Sequence, residues 1–499
     1  MNNKKSFPTH KPRSNLPWSA WEQQVVRMQK QITHACQRGD KEAVHTLQQR
    51  LMESEAARLL AVRRVTEENQ GRHTAGVDGV KSLDAKERLA MATLIHPRNW
   101  KQQSPMPVKR VWIPKPGTTE QRPLAILPMI DRCKQALVKL ALEPEWETQF
   151  EEHSYGFRPG RGTHDAITAI LVAIEGHPMY VCNTDIEGAF DFVNQAVVLQ
   201  KLQTYPALNQ LIHAWLTAGV MDGNTYAPSP IGIAQGGILS PLLMNVALHG
   251  MEAVVANGVQ GSHNAPYAYA IQQPLLIRYA DNFVILHPNL QILQEAVSRV
   301  RHWLATIGLQ LHAEKTHITH TLTPYEGQVG FDFLGFTIWQ EGVGQTRHDV
   351  EPRFIDWGQT KHDVGPRFID RGQQRQPSRV KTMVLPEQEA SKRHIAAIEQ
   401  KLRRLQNASQ AQVIKELNPL IVGWTSYYNG IVPPFIMGQY DDLIEQKLLH
   451  WASKRHPGQQ RAWLLTRYWH PVGSIGKRKN TFATHDGIQL RAYRQASIL

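Results

Sequence analysis

Two aspartates stand where chemistry could be done. Asp185 closes the short β-prone run at residues 180–184 (YVCNT), and Asp281 lies in the polar tip Tyr279-Ala280-Asp281-Asn282 between two apolar runs, a hairpin pattern. The two carboxylates are 96 residues apart and meet only if their strands are neighbours in one sheet. So paired, they could hold Mg²⁺, a hard cation that prefers oxygen ligands, and two such ions clamp the attacking and leaving oxygens of a phosphoryl transfer. Any two turn aspartates satisfy this spacing loosely, so an ordinary turn role stays open until the surrounding residues are considered.

The elements that would position them mix helix and strand. Residues 20–66 read as helix, with Trp21, Val25, Met28 and Ile32 recurring every three to four residues. Short β-rich runs punctuated by Pro and Gly follow from Lys109 (VWIPKPG, QRPLAI), then an amphipathic helix after Thr163. Two more helical stretches, 195–203 and 208–218, are parted at Pro206. Beyond residue 385 the pattern is helical, with Ile395, Ile398, Leu402 and Leu405 on one face and Lys392, Arg393, Lys401, Arg403 and Arg404 largely on the other. Strict strand-helix alternation is missing, which gives an α+β fold class. Residues 347–374 hold two copies of a 14-residue repeat, too few for a solenoid, and read as a duplicated surface loop.

Composition bounds the partners. At 499 residues the chain has room for roughly three domains. Its three cysteines, Cys36, Cys133 and Cys182, are too far apart for a disulfide framework or closely spaced zinc ligands, which suits a reducing cytoplasm. No apolar run approaches the length of a membrane span, and the polar N-terminus lacks a leader's apolar stretch. The net charge of +13 is unevenly spread: residues 1–64 carry +7, 65–370 carry −6 and 371–499 carry +12. Two basic arms around a slightly acidic centre suit a polyanion, although solvated basic faces are also common.

Nine words in order then change the reading: NQGRHTAGVDG (69–79), VWIPKPGTTEQRPLAI (111–126), HSYGFRPGRGTHDAI (153–167), NTDIEGAFDFV (183–193), AQGGILSPLLMNV (234–246), RYADNFVI (278–285), GLQLHAEKT (308–316), GFDFLGF (330–336) and NPLIVGWTSYYN (418–429). Together they resemble the reverse transcriptase and maturase proteins encoded by group II introns, over residues 60–450 or so. The resemblance implies a right-hand polymerase with fingers, a palm built on an antiparallel sheet, a helical thumb and a helical N-terminal extension. It divides the chain into an RNA-binding extension (1–80), fingers and palm (81–345), the duplicated insertion (346–378), thumb or maturase domain (379–470) and a basic tail standing for a truncated DNA-binding region (471–499).

Residue by residue, Asp185 and Asp281 match the family's Mg²⁺ ligands, with the Ile186 carbonyl completing one shell. Lys115 and Arg122 match the grip on the incoming dNTP triphosphate. Phe190 matches the gate that crowds a ribose 2′-OH, and Gln235 lines the nucleotide pocket. Lys315 resembles the lysine that protonates pyrophosphate, with a structural salt bridge as the alternative. Phe333, Leu334 and Gly335 resemble the primer grip. Trp424, Tyr427 and Tyr428 match the thumb signature and are expected to pack in a core rather than stack on bases. Intron RNA is expected on Lys392, Arg393, Lys401, Arg403 and Arg404, with target DNA as a further partner and a monomer or homodimer as the working state.

Two departures modify this. The hairpin tip usually reads Tyr-Ala-Asp-Asp, and Asn282 offers at most one neutral oxygen, so polymerase activity is expected to be weakened or lost. No Cys follows residue 182, so the Cys- and His-rich endonuclease of some relatives is not expected. The sequence therefore implies a group II intron reverse transcriptase and maturase, with a splicing-only maturase as the alternative.

Overall fold

The computed structural model describes residues 16–114, 121–256, 273–342, 380–472 and 479–494. Lys115 and the repeat at 347–374 lie outside the described residues. The strands are β1 (Val108–Pro114), β2 (Gln121–Ile126), β3 (Tyr180–Asp185), β4 (Val220–Asp222), β5 (Thr225–Ala227), β6 (Leu275–Tyr279), β7 (Asn282–His287), β8 (His317–His320), β9 (Phe331–Phe333), β10 (Phe336–Gly342), β11 (Val380–Pro386), β12 (Trp469–Val472) and β13 (Lys479–Phe482). Among the described residues four sheets result, ordered β2-β1-β4-β5, β6-β7-β3-β8, β11-β10-β9 and β12-β13.

The chain forms two compact units: one of residues 1–166, 184–285 and 291–317, the other of 167–183, 286–290 and 318–499. Each draws on several stretches of sequence.

In the first unit, the N-terminal stretch expected as helix is three helices, Trp18–Gln37, Lys41–Glu53 and Glu55–Arg63. The breaks have local causes. Gly39 takes φ +71° and Asp40 accepts a hydrogen bond from the Ala43 N–H, so one helix stops and the next is capped within two residues. Ser54 does the same for the third through the Ala57 N–H. Pro206 likewise begins the helix Pro206–Leu216 rather than merely interrupting, because a first-turn position needs no N–H.

The helix Met129–Trp146 is buried along most of its length, including Asp131, Arg132, Lys134 and Gln135. Its start is fixed by the 69–79 motif: Asp78 Oδ2 accepts the Met129 N–H at 2.6 Å, while Arg132 donates to the carbonyls of Leu127, Gly71 and Thr74. Gly76 approaches the Leu127 carbonyl so closely that a Cβ would lie 2.6 Å from its oxygen. The motif is thus a staple on the core helix. Beside it β1 pairs antiparallel with β2, placing Ile113 opposite Arg122, and parallel with β4.

In the second unit, the helices Gln388–Arg404, Gln410–Tyr428 and Pro434–Arg455 bury Ile395, Ile398 and Leu402, then Leu417 and Ile421, then Ile444, Leu448 and Trp451. The described part of the expected tail belongs to this packing. Tyr493 is 2% exposed, its hydroxyl 2.6 Å from His394 Nε2, and its N–H donates to Asp441 Oδ1. A stretch with that much buried ring area is a closing piece of a core rather than a tail.

Candidate active site

Asp185 ends β3, and Asp281 occupies the two-residue turn between β6 and β7, with β7 beside β3 in the sheet. The pairing that the spacing left open is therefore made. The Ile186 N–H donates to the Asp281 carbonyl at 3.2 Å, tying the two carboxylate-bearing segments through the backbone. Asp185 is fixed from the other side by the His312 N–H on its carbonyl at 2.8 Å.

Burial, and then the neighbouring charge of Asp185, push the Asp281 carboxyl above the usual carboxylate range. Lys315 Nζ sits 2.6 Å from Asp185 Oδ2 with its side chain 57% exposed, so the salt bridge foreseen as an alternative is present. Asn282 Nδ2 donates to Asp281 Oδ1 at 3.5 Å. Two mutually repelling carboxylates with one exposed counter-charge fit a divalent cation chemically. Among the described residues no group of three or more His, Cys, Asp or Glu side chains could hold a metal ion.

Arg122 lies exposed on β2, while Phe190 and Gln235 are half-buried. The Gln235 carbonyl accepts the Ala125 N–H at 2.6 Å, and Gly236, at φ +114°, passes so near the Ala125 carbonyl that a Cβ would be 2.6 Å from its oxygen. Only glycine allows that approach, which seats Gln235 against β2. The Phe190 carbonyl accepts the N–H of Ile233, the residue just before the 234–246 motif, at 2.6 Å.

In the second unit, Phe333 is buried and Leu334 and Gly335 form the two-residue turn between β9 and β10, at φ +48° and +79°. Tyr427 donates its hydroxyl to the Leu334 carbonyl at 2.8 Å and Tyr428 to the Gly335 carbonyl at 3.0 Å. Trp424 stacks on His394 with ring centroids 4.2 Å apart. Of the basic residues on the helix Gln388–Arg404, Lys392 pairs with Glu389 and Lys401 with Glu416, while Arg393, Arg403 and Arg404 are exposed.

Sequence reasoning missed the group behind the aspartate turn. Arg278 is 1% exposed and donates to the Ala280 carbonyl and Asn245 Oδ1, both at 3.1 Å, and to Ser154 Oγ at 2.7 Å. Burial brings its guanidinium down to about 10, with the carboxylates of Glu151, Glu252 and Asp281 opposing the shift. The signal was available: a single arginine inside the apolar strand LLIRY has to find acceptors.

A strand-end carboxylate beside a hairpin carboxylate is an arrangement that suits phosphoryl transfer. Residues 113–338 match the family described as reverse transcriptase (RNA-dependent DNA polymerase), residues 14–95 the N-terminal domain of reverse transcriptase, and residues 391–469 the group II intron, maturase-specific domain. The three matches follow one another along the chain, which therefore carries reverse transcriptase and group II intron maturase domains. It is similar to Protein YkfC of Escherichia coli, at 29% identity over 54% of this chain and 77% of that protein. The group II intron-encoded protein LtrA of Lactococcus lactis is 36% identical over 30% of this chain and 26% of its own length. Maturase-like protein 1 of Euglena gracilis is 25% identical over 64% of both. The chain thus spans about a quarter of LtrA and under two thirds of the Euglena protein. Among the described residues no helix is long and apolar enough to cross a membrane.

Proposed function

We propose that the chain copies RNA into DNA and binds its own group II intron RNA to assist splicing. The observation that carries this is the placement of Asp185 at the end of β3 and Asp281 in the turn leading into its neighbour β7, in a chain with reverse transcriptase and maturase domains. In this reading the sheet β6-β7-β3-β8 is the palm, β1 and β2 belong to the fingers, and the helices from Gln388 to Arg455 form the thumb.

Asp185, Asp281 and the Ile186 carbonyl would hold Mg²⁺, which supplies Lewis-acid stabilisation to the attacking and leaving oxygens. Arg122 and Lys115 grip the triphosphate of the dNTP. Phe190 fills the space a ribose 2′-OH would need, and Gln235 lines the base pocket. The primer 3′-hydroxyl gives up its proton to solvent, and its oxygen forms the bond to the α-phosphorus as the bond to the β-phosphate oxygen breaks. Lys315 screens Asp185 before substrate arrives, and its exposed ammonium then gives a proton to the departing pyrophosphate. The turn Phe333-Leu334-Gly335 steadies the primer. Intron RNA is held by phosphate contacts from Arg393, Arg403 and Arg404, with Lys392 and Lys401 beside them, and from the basic N-terminal arm; target DNA is the substrate of insertion.

Primer extension on an RNA template with dNTPs and Mg²⁺ tests this. Asp185→Ala and Asp281→Ala should reduce synthesis to background while intron RNA binding and splicing assistance persist, because the chemistry of splicing belongs to the RNA. If the unmodified chain were no faster than Asp281→Ala, the polymerase half of the proposal would fall and a splicing maturase would remain.

A further inference from the structure

We propose that Phe157 is a stacking platform for the end of the primer–template duplex beside the aspartate turn, an inference that rests on the polymerase reading above. Phe157 adopts φ +62°, where bulky residues are seldom found, and is nevertheless 48% exposed. A strained backbone and an apolar ring in water are both unfavourable, and neither is relieved by the fold. The flanking residues enforce the arrangement. Before it, the Gly156 carbonyl accepts from Asn245 Nδ2 at 2.9 Å, and a Cβ on Gly156 would come within 2.4 Å of the Ala280 N. After it, Arg158 is 6% exposed, with Nε on the Glu147 carboxylate and Nη1 on the carbonyls of Glu151 and Ser154 at 2.7 Å each.

Gly156 packs against Ala280, the residue before Asp281, and Arg158 is held inward, so Phe157 is the exposed residue between two fixed neighbours, one Cα step of ~3.8 Å from Gly156. An interior position was at hand, since Tyr155 is 8% exposed two residues earlier. Strain kept at such a place points to a use. A flat apolar face there suits a nucleobase: stacking on it is indifferent to sequence because every base has a π-face, which is what a copying enzyme requires. The nearby guanidinium groups are already engaged, Arg158 as above and Arg161 on the Glu152 carbonyl. The contact is therefore by stacking rather than by phosphate.

The test uses the full chain and a DNA primer annealed to an RNA template, with dissociation constants measured over a range of salt. Phe157→Ala should weaken binding roughly 5- to 100-fold. The slope of affinity against salt should stay unchanged, since no phosphate contact is lost. Phe157→Trp should bind as well as the unmodified chain or better. Phe157→Gly, which relieves the backbone, should melt no lower than the unmodified chain yet bind as weakly as the alanine variant. Equal affinity in Phe157→Ala, or a reduced salt slope, would overturn the stacking role while synthesis by the unmodified chain left the polymerase reading standing. No synthesis and no duplex affinity in the unmodified chain would overturn both.

Discussion

The two units each carry a two-residue hairpin turn with backbone in the left-handed region, and they hold those turns by different means. At the β6–β7 turn Ala280 takes φ +58°, a place usually given to glycine, and a buried guanidinium from Arg278 holds its carbonyl. At the β9–β10 turn Leu334 and Gly335 take φ +48° and +79°, and two neutral tyrosine hydroxyls hold the carbonyls. The charged clamp sits where two carboxylates gather, so a buried cation is partly compensated by Asp281, Glu151 and Glu252. The neutral clamp also has a carboxylate nearby, Glu387, whose N–H joins the Tyr428 hydroxyl on the Gly335 carbonyl, but the turn itself carries no acid. A turn that must present an acid can use a cation behind it; a turn that presents only backbone uses hydroxyls.

The largest expected effect is on the charged clamp. Arg278→Met leaves three interior acceptors without their donor and should cost about 3–5 kcal/mol of stability. Arg278→Lys should fall between, because one ammonium cannot fork to all three. Urea unfolding of the three proteins measures this, and an Arg278→Met protein as stable as the parent would remove the contrast between the turns.

Next comes pH, which strikes the second unit through His394. Burial holds its imidazole down to about 4, below the 6.5 of an exposed histidine. The unfolded chain therefore binds the proton first, and stability present above about 6.5 is lost as pH falls toward 4, by roughly 3 kcal/mol at most. His394→Gln should flatten that part of the stability–pH curve; an unchanged slope would mean the loss arises elsewhere.

Asn282→Asp returns an acid to the charged turn. Synthesis should rise roughly 10- to 100-fold, or about 1.4 to 3 kcal/mol of transition-state stabilisation. The metal-free protein should become less stable, because the amide that now donates to Asp281 would be replaced by a third like charge. Equal rates would show that position 282 takes no part in metal binding. The smallest effect belongs to the neutral clamp: Tyr428→Phe should cost about 1 kcal/mol and the more exposed Tyr427→Phe less. A loss at Tyr427 larger than at Tyr428 would reverse the assignment of the buried hydroxyl as the main support.

Local pattern made some of this legible. The apolar runs around residues 279–282 gave the hairpin, and the three-to-four spacing gave the helices after residue 385. Long-range partners were not, since no local period encodes which strand lies beside which. Of the thumb-signature tyrosines, Tyr428 is buried while Tyr427 is exposed, and the carbonyl partners of both are 93 residues away. The N-terminal helix boundaries were missed because Asp40 and Ser54 interrupt an apolar stripe without changing its phase. Arg278 was overlooked because a motif draws the eye to its acids, although a lone arginine in a buried strand is equally informative.

The interleaving of the two units bears on how the protein is made. Residues 167–183 leave the ribosome early, yet their unit is completed only by segments as late as the one carrying Tyr493. At roughly 5–20 residues per second, that early stretch waits about 8 to 30 seconds before its direct partners near Thr321 and Gln340 are made, and longer for the rest of its unit. Its apolar residues, Ile167, Ile170 and Ile174 among them, are exposed to chaperones or to other chains in the meantime. Slower translation of the later half would lengthen that interval, so yield of folded protein should depend on the speed of synthesis as well as on the stability of the finished molecule.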